Sequence, residues 1–455
     1  MTYDQYLQYR EAMLDAYYFG QLTGFASTFD LNKKTVILLP GGMGSHLKRT
    51  DQPFPAPNNI FDYNLWVSMD TLSSGNAPYL QIDQNLADGQ QFVVGAQGPI
   101  SILGLSPYDQ FISQGKRKWN LFVLGFDFRR SIEESAKFFM KFITDFKAAI
   151  YNEYGYDPLP DVTVVAHSMG GLVLAYALHD AQFAQLQLNG YMTIATNFYG
   201  WPGQLKKYYL GQEPFNWSWT PDVVTRTVGS MPGGYSLMPM PTKIFDTYGA
   251  QIGLTKYPVQ DKTTGAPTDP YDRACASRWP PWVMQNYLQQ NMATLTTITN
   301  PFARTVASRF VNVRSIRNST AVGLLWENVN GATYTAGSGK PIIEVMGKGD
   351  GVIPWWSAFH MGTPPNNRRS LSQAKDHVFL LEHDEVFDLV DHFVMTGSLP
   401  RPVAPRRRAP LKIADRVATK KAVLSALKAR GAGRKIRGKL LAPEYRRGVL
   451  QLIMS

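Results

Sequence analysis

One serine lies in a sequence context that is typical of a catalytic nucleophile. The segment DVTVVAHSMGGLVL covers residues 161–174 and carries Ser168 at its centre. The β-branched residues before the serine predict a strand, Ala166 and Gly170 are small enough for a sharp turn, and a helix follows. Such a turn exposes the hydroxyl, and the helix N-terminus offers N–H groups to an oxyanion. The alternative is an ordinary strand-to-helix turn with a capping serine.

A serine nucleophile needs a base, and the chain has seven histidines. Chain order disfavours the three that precede or surround the predicted turn: His46, His167 and His179. His360 lies in a loop, and His392 belongs to a helical pattern that suits a structural role. His377 and His383 remain. We favour His377, because a polar loop precedes it and the apolar residues 378–381 follow it.

The predicted partner of the base is Asp350, which stands between two glycines directly after the apolar run Ile342–Met346. A carboxylate at the end of a strand would lie on the same edge of the sheet as Ser168. The alternative is a turn aspartate that binds only its own backbone. The order Ser168, Asp350, His377 is the order expected of an α/β-hydrolase.

A glycine-rich segment, Leu39–Ser45, follows the first predicted strand. Its backbone can supply one N–H group to an oxyanion hole, from Gly42 or Met43, and Met169 can supply the other. Phosphate binding is the weaker alternative, because no G-x-x-x-x-G-K-[ST] pattern is present. No H-E-x-x-H motif or Cys/His cluster indicates a metal site, so we expect neither a metal nor another cofactor.

Apolar strands that alternate with helical segments indicate a mainly parallel sheet with helices on both faces, an α/β fold. The predicted strands are Thr35–Leu39, Asn120–Leu124, Val162–Val165, Tyr191–Ala195 and Ile342–Val345. The predicted helices between them include Ile132–Tyr154 and Gly170–Ala184. No internal repeat is visible.

The chain divides into four predicted regions. Residues 1–34 form a helical lead-in, residues 35–200 and 301–399 the α/β core, residues 201–300 an insertion, and residues 400–455 a basic tail. The insertion is rich in Trp, Tyr, Pro and Met and has no clear strand or helix period. It is either an irregular insertion with its own small core or a cap over an apolar cleft.

The net charge of +11 is concentrated in the tail. Residues 401–455 hold sixteen Lys and Arg against two acidic residues, and the rest of the chain is slightly acidic. Apolar residues within 411–430 fall close to one helical face. A solvated tail is one interpretation, and a basic amphipathic helix on an anionic membrane is another. Nucleic-acid binding is less favoured.

Composition excludes several classes of protein. The chain of 455 residues is 44% hydrophobic, which excludes disorder or a collagen-like repeat as the whole structure. No apolar run approaches the ~18 residues of a membrane-spanning helix. With no visible secretory signal and a single cysteine, Cys275, we expect a cytoplasmic protein, with peripheral membrane association through the tail as an option.

Several short motifs, taken in order, resemble the lecithin:cholesterol acyltransferase-like branch of the α/β-hydrolases. They are VILLPGGMGSHL (36–47), LFVLGFDFRRS (121–131), VVAHSMGGLV (164–173), YMTIATNFYGWPGQL (191–205), GDGVIP (349–354) and HVFLLEHDEVFDLV (377–390). The resemblance implies a serine esterase, lipase or acyltransferase for acyl esters, with Ser168, Asp350 and His377 as its triad. It also implies that Phe126–Arg129 supports the site structurally. The competing hypothesis is a binding or scaffold protein that keeps the fold without catalysis.

Overall fold

The computed structural model describes residues 3–49, 64–66, 80–82, 94–100, 106–210, 221–272, 275, 279, 283–327, 342–373 and 376–400. Its strands are β1 (Thr35–Leu39), β2 (Ser45–Arg49), β3 (Asn64–Trp66), β4 (Val94–Pro99), β5 (Asn120–Val123), β6 (Val162–His167), β7 (Gly190–Ile194), β8 (Val259–Asp261), β9 (Phe310–Arg314), β10 (Asn318–Trp326), β11 (Ile342–Gly349) and β12 (Arg368–Ser370). Its α-helices are α1 (Tyr3–Ala26), α2 (Asp109–Lys118), α3 (Ile132–Tyr154), α4 (Met169–Ala177), α5 (Ala181–Ala184), α6 (Pro202–Leu210), α7 (Pro221–Gly229), α8 (Pro232–Tyr235), α9 (Thr242–Tyr248), α10 (Gln285–Thr299), α11 (Arg304–Ala307) and α12 (Asp384–Thr396).

The main sheet has six strands in the order β12-β9-β7-β6-β1-β5, and all neighbouring pairs are parallel. Every residue of β1, β6 and β7 is buried, as expected for strands covered on both faces. Side chains alternate between two cores. Ile37 and Leu39 pack into a core with Phe139 and Phe146 of α3, whereas Val36 and Leu38 pack into a core with Val390 of α12. The predicted parallel sheet with helices on both faces is confirmed.

Local sequence signals set the bounds of α3, which agree with the predicted helix. The hydroxyl of Ser131 accepts a hydrogen bond from the Glu134 N–H group (3.1 Å) at the N-terminus, and Gly155 ends the helix with φ 66°. In the lead-in region, α1 packs against the core. The Tyr18 hydroxyl donates to the carbonyl of Ala96, and Phe25 contacts Phe122 edge to face.

The prediction that Ile342–Val345 belongs to the parallel sheet is wrong. These residues begin β11, which pairs antiparallel with β10 in a second sheet of order β11-β10-β8. Ile343, Val345 and Met346 are exposed there, so the apolar run reflects an edge strand and not a core strand. The main sheet contains β9 instead, which the sequence analysis did not identify.

The insertion is more regular than its sequence indicated, because the described part of residues 202–299 contains five α-helices (α6 to α10) and β8. Pro at the first position of α6, α7 and α8 is favourable for helix initiation. In α6 seven of nine residues are buried. A helix that is buried on several sides has no polar face, so its sequence shows no amphipathic period.

Two further findings concern the predicted membrane interactions. The basic tail lies outside the described residues apart from Pro400, and its contact with an anionic membrane stays a prediction. Among the helices that the structure describes, none combines the length and the hydropathy that crossing a bilayer would require.

Candidate active site

Ser168 lies at the turn between β6 and α4 in a strained backbone conformation. Its φ of 52° is unusual for a residue with a side chain. Neighbouring strands hold this conformation, because the Ser168 N–H donates to the carbonyl of Ile194 (2.9 Å) at the end of β7. The turn therefore brings the hydroxyl to the carboxyl edge of the sheet, as the sequence predicted.

The glycines after Ser168 and after β1 allow two loops to touch. A Cβ atom on Gly170 would lie 2.4 Å from the carbonyl oxygen of Pro40. A Cβ atom on Gly41 would lie 3.1 Å from Cβ of Ser168. Glycine at these two positions permits the glycine-rich loop to lie directly beside the nucleophile turn.

Ser168, His377 and Asp350 are joined by two hydrogen bonds. The Ser168 Oγ lies 2.8 Å from Nε2 of His377, and Nδ1 of the same imidazole lies 2.8 Å from Oδ2 of Asp350. The side chain of Asp350 is 1% exposed and that of His377 is 7% exposed. The structure thus brings together the three side chains predicted to act jointly. His383, the alternative base, precedes α12 as its N-cap residue.

The two carboxylate oxygens of Asp350 have different partners. Oδ1 accepts the backbone N–H groups of Val352 (3.0 Å) and Ile353 (2.7 Å), whereas Oδ2 faces the imidazole of His377. The sequence analysis treated a turn aspartate and a partner of the base as alternatives, but Asp350 makes both kinds of contact. The backbone N–H groups of the turn hold the carboxylate in place, and the carboxylate then orients the imidazole ring of His377.

The second sheet positions the Asp350 loop. Asn318 of β10 donates its amide N–H to the Asp350 carbonyl (3.1 Å), and Thr320 accepts the N–H group of Gly351 (2.9 Å). The His377 N–H also donates to the Asp350 carbonyl (3.0 Å). Asp350 therefore reaches the edge of the main sheet from a neighbouring sheet. The sequence analysis had instead placed the strand before Asp350 in the main parallel sheet.

His167 belongs to a second hydrogen-bonded chain beside the first. Its Nε2 lies 3.0 Å from the carbonyl oxygen of His377, so Nε2 carries the proton. Nδ1 then accepts from the hydroxyl of Tyr108 (3.1 Å), which itself accepts the Gly41 N–H (2.9 Å). Burial, together with the nearby ring of His377, lowers the pKa of His167 well below its usual value. This neutral imidazole links the loop of the base to the glycine-rich loop.

The predicted oxyanion donors border the same space. Met169 begins α4, and an N–H group in the first turn of a helix has no acceptor within that helix. Gly42 and Met43 line the cleft above Ser168. Met43 has φ 61°, and its carbonyl accepts the indole N–H of Trp66 (2.9 Å), which fixes the loop. Their role as donors stays a prediction.

An apolar cleft opens at Ser168, and the insertion forms one of its walls. From the core, the lining includes Gly41, Gly42, Met43, Trp66, Leu80, Phe128, His167, Ser168, Met169, Asn197, Val352, Ile353, His377 and Val378. From the insertion, it includes Trp201, Gln204, Lys207, Thr227, Val228, Met231, Gly234 and Leu237. Hydrophobic walls of this kind suit a hydrocarbon chain.

The Phe126–Arg129 segment connects the core to this wall. Arg129 is fully buried and forms a bidentate ion pair with Asp127, with Nε–Oδ1 2.9 Å and Nη2–Oδ2 2.6 Å. Burial opposes ionisation of Asp127, but the guanidinium groups of Arg129, Arg130 and Arg10 together outweigh it and lower the pKa of the carboxylate. Phe128 lines the cleft, and the carbonyl of Arg129 accepts the Gly233 N–H of the insertion (2.9 Å).

Residues 108–262 match the family model described as lecithin:cholesterol acyltransferase. The chain has an α/β-hydrolase fold. The matched segment contains Ser168 and Phe126–Arg129, but it ends before Asp350 and His377. The match confirms the resemblance to this family that the sequence motifs indicated.

One solved structure shares the fold. A chain of the Tle4–Tli4 complex superposes with a TM-score of 0.50 at 15% identity, over 80% of this chain and 99% of that chain. The mature lipase BlEst2 of Bacillus licheniformis has a TM-score of 0.35 at 10% identity, over 82% of this chain and 94% of that one. No curated protein matches the sequence.

Two residues at the site were not identified from the sequence. Tyr108 precedes α2, and Asn197 follows β7. Neither has a local motif, because each reaches the site only through the order of strands in the sheet. The motif around Ser168 is local, which is why it could be recognised.

Proposed function

We propose that this protein is a serine hydrolase or acyltransferase that acts on acyl esters of lipids through an acyl-enzyme intermediate. The observation that carries the proposal is the Ser168–His377–Asp350 chain, with both hydrogen bonds at 2.8 Å, at the base of an apolar cleft. The family match over residues 108–262 supports the same class of substrate.

In the proposed mechanism, Nε2 of His377 takes the proton of Ser168, and Oγ attacks the ester carbonyl carbon. The N–H groups of Met169 and of Gly42 or Met43 stabilise the oxyanion; loss of one such donor typically costs about 3 kcal/mol. The imidazolium, stabilised by Asp350, then protonates the departing alcohol. Water or a second alcohol, deprotonated by His377, finally attacks the acyl-enzyme.

Replacing Ser168 with Ala tests the proposal directly. We expect the S168A variant to lose hydrolysis of p-nitrophenyl acyl esters by at least about a thousandfold and to lose labelling by a fluorophosphonate probe. The matched control is S113A, which changes an exposed serine of α2 and should retain both activities. Thermal unfolding should be similar for the two variants.

Two outcomes would contradict the proposal. Full esterase activity in S168A would exclude this serine as the nucleophile. A wild-type protein that neither hydrolyses esters nor reacts with the probe would instead be a binding or scaffold protein. Adding a primary alcohol to the active enzyme distinguishes transfer, which yields a new ester, from hydrolysis, which yields the free acid.

A further inference from the structure

Asn197 differs from the other polar residues that line the cleft. Gln204 donates to the carbonyl of Gly234, and the Lys207 ammonium stacks over the ring of Trp201. The Asn197 side chain is fully buried, yet neither Oδ1 nor Nδ2 has a hydrogen-bond partner among the described residues. A buried amide without partners is unfavourable, so such a group requires an explanation.

Other buried asparagines in the same molecule are bonded. Asn120 donates to the carbonyls of Asp30 and Lys33, and Asn291 donates to the carbonyl of Tyr235. Asn312 accepts the His360 N–H through Oδ1 and donates to a threonine hydroxyl through Nδ2. In each of these cases the amide ties loops or strands together. Asn197 provides no such contact within the described structure, although it is one of the residues that line the cleft.

The sheet order places Asn197 on the opposite side of the nucleophile from the glycine-rich loop. β6, which ends at Ser168, lies between β1 and β7. The glycine-rich loop follows β1, whereas Asn197 lies three residues after the end of β7. An ester carbonyl held by Gly42 or Met43 would therefore leave another part of the substrate beside Asn197.

The backbone around Asn197 is held in place. Ala195 has φ 53°, and the carbonyl of Asn197 accepts the N–H of Gly200 (3.0 Å). The next two N–H groups, of Phe198 and Tyr199, both donate to Ser357, at 3.0 Å and 3.1 Å. The side chain consequently projects from a fixed turn at the lining of the cleft, and a fixed backbone is a condition for a selective contact.

We propose that Asn197 binds a free hydroxyl group of the substrate close to the ester bond, so that the cleft selects hydroxylated acyl esters over purely alkyl esters. This inference rests on the proposed function. A hydroxyl can donate to Oδ1 and accept from Nδ2, whereas an alkyl chain would leave both amide atoms unpaired. Sites built to hydrogen-bond a substrate hydroxyl discriminate strongly against the analogue that lacks it.

The test compares three esters whose acyl chains have the same length of ten carbons. Wild-type enzyme is assayed with glycerol monodecanoate, propyl decanoate and propyl 3-hydroxydecanoate. The first ester has free hydroxyls on its alcohol part, the second has none, and the third has one on its acyl chain. We expect kcat/KM for one hydroxylated ester to exceed that for propyl decanoate by about tenfold to a hundredfold. In Asn197→Leu this preference should disappear, so that the ratio of the two kcat/KM values falls to about one.

A stability measurement separates substrate binding from a structural role. Replacing an unpaired buried amide by a side chain of similar size should leave the unfolding temperature unchanged or raise it. An amide with a structural bond would give a lower unfolding temperature instead. If Leu prevents folding, Asn197→Ala repeats the comparison of esters but not the comparison of stability, because the smaller side chain leaves a cavity. The control is Asn152→Leu, which changes an exposed asparagine of α3 that does not line the cleft; its ester ratio should not change.

The inference would be overturned if wild-type enzyme hydrolysed all three esters without preferring either hydroxylated one. An unchanged ratio in both Asn197 variants would overturn it as well, while leaving the proposed esterase function intact. No hydrolysis of any ester, together with no fluorophosphonate labelling, would reject the proposed function and this inference with it.

Discussion

At the scale of single residues, the Tyr108 hydroxyl connects two parts of the site. It accepts the Gly41 N–H and donates to His167, both in a fully buried environment. Tyr108→Phe removes the oxygen and leaves two polar atoms without this partner, which should cost about 1–3 kcal/mol of stability. Because Gly41 precedes the proposed oxyanion donors, we also expect kcat for a p-nitrophenyl ester to fall roughly tenfold with KM nearly unchanged.

The control for this experiment is Tyr154→Phe. The Tyr154 hydroxyl donates to the carbonyl of Ala26 (2.8 Å), between α3 and α1 and away from the cleft. This variant should lose stability but retain kcat. If Tyr108→Phe retained kcat as well, the tyrosine would contribute to folding only.

The residue scale also shows how far prediction could reach. Ser168 was identified from a local motif, and Asp350 and His377 from their order in the chain. Chain order argued against His167 as a base, and its Nε2 does face a backbone carbonyl. That carbonyl belongs to a residue 210 positions away, so no local pattern could have indicated the contact.

At the scale of elements, the approach of α4 to the end of β1 depends on Gly170. In Gly170→Ala the new methyl group would lie 2.4 Å from one backbone carbonyl oxygen and 2.7 Å from another. Because backbone cannot rotate away as a side chain can, we expect a loss of roughly 2–4 kcal/mol in the free energy of unfolding. Chemical denaturation followed by circular dichroism measures it.

Gly24→Ala is the matched control. Gly24 lies in α1, is exposed, and has no atom within 4 Å of a Cβ position. Alanine there should increase stability by about 0.5–1 kcal/mol through helix propensity. Equal effects of the two substitutions would mean that the contact between α4 and β1 is not tightly packed.

Helices and strands could be predicted where a sequence pattern is compatible with only one kind of structure. Buried parallel strands are apolar throughout, and α3 has both a cap and an apolar face. The apolar run at Ile342–Val345 was misassigned because an exposed antiparallel edge strand can carry the same residues. The helices of the insertion were missed since α6 is buried on most of its surface.

At the scale of the whole molecule, buried histidines predict a loss of stability in weak acid. Burial lowers the pKa values of His46, His167, His179 and His360, and for His360 the value falls to about 3. The unfolded chain binds protons near pH 6.5 that the folded protein excludes. The free energy of unfolding should therefore decrease as the pH falls from 6.5 toward 3, by up to about 1.4 kcal/mol per pH unit for each fully excluded proton.

The measurement is denaturant unfolding at several pH values between 7 and 5. Carboxylates with lowered pKa values, such as Asp157 and Asp161, contribute only below about pH 4 and do not affect this window. In His360→Gln the free energy of unfolding should depend less steeply on pH, because about one proton fewer is bound on unfolding. A stability that is constant from pH 7 to 5 would be inconsistent with neutral buried imidazoles.

The second sheet has a consequence for how the cleft of this protein could be altered. Its strand β8 comes from the insertion and pairs with β10, and β10 carries the two side chains that hold the Asp350 loop. The insertion, which forms one wall of the cleft, therefore pairs directly with the strand that holds the Asp350 loop. Replacing the insertion with a segment of another protein would weaken β10 and the position of Asp350, unless the new segment kept Val259–Asp261. New substrates are more safely sought by changing side chains on the existing wall.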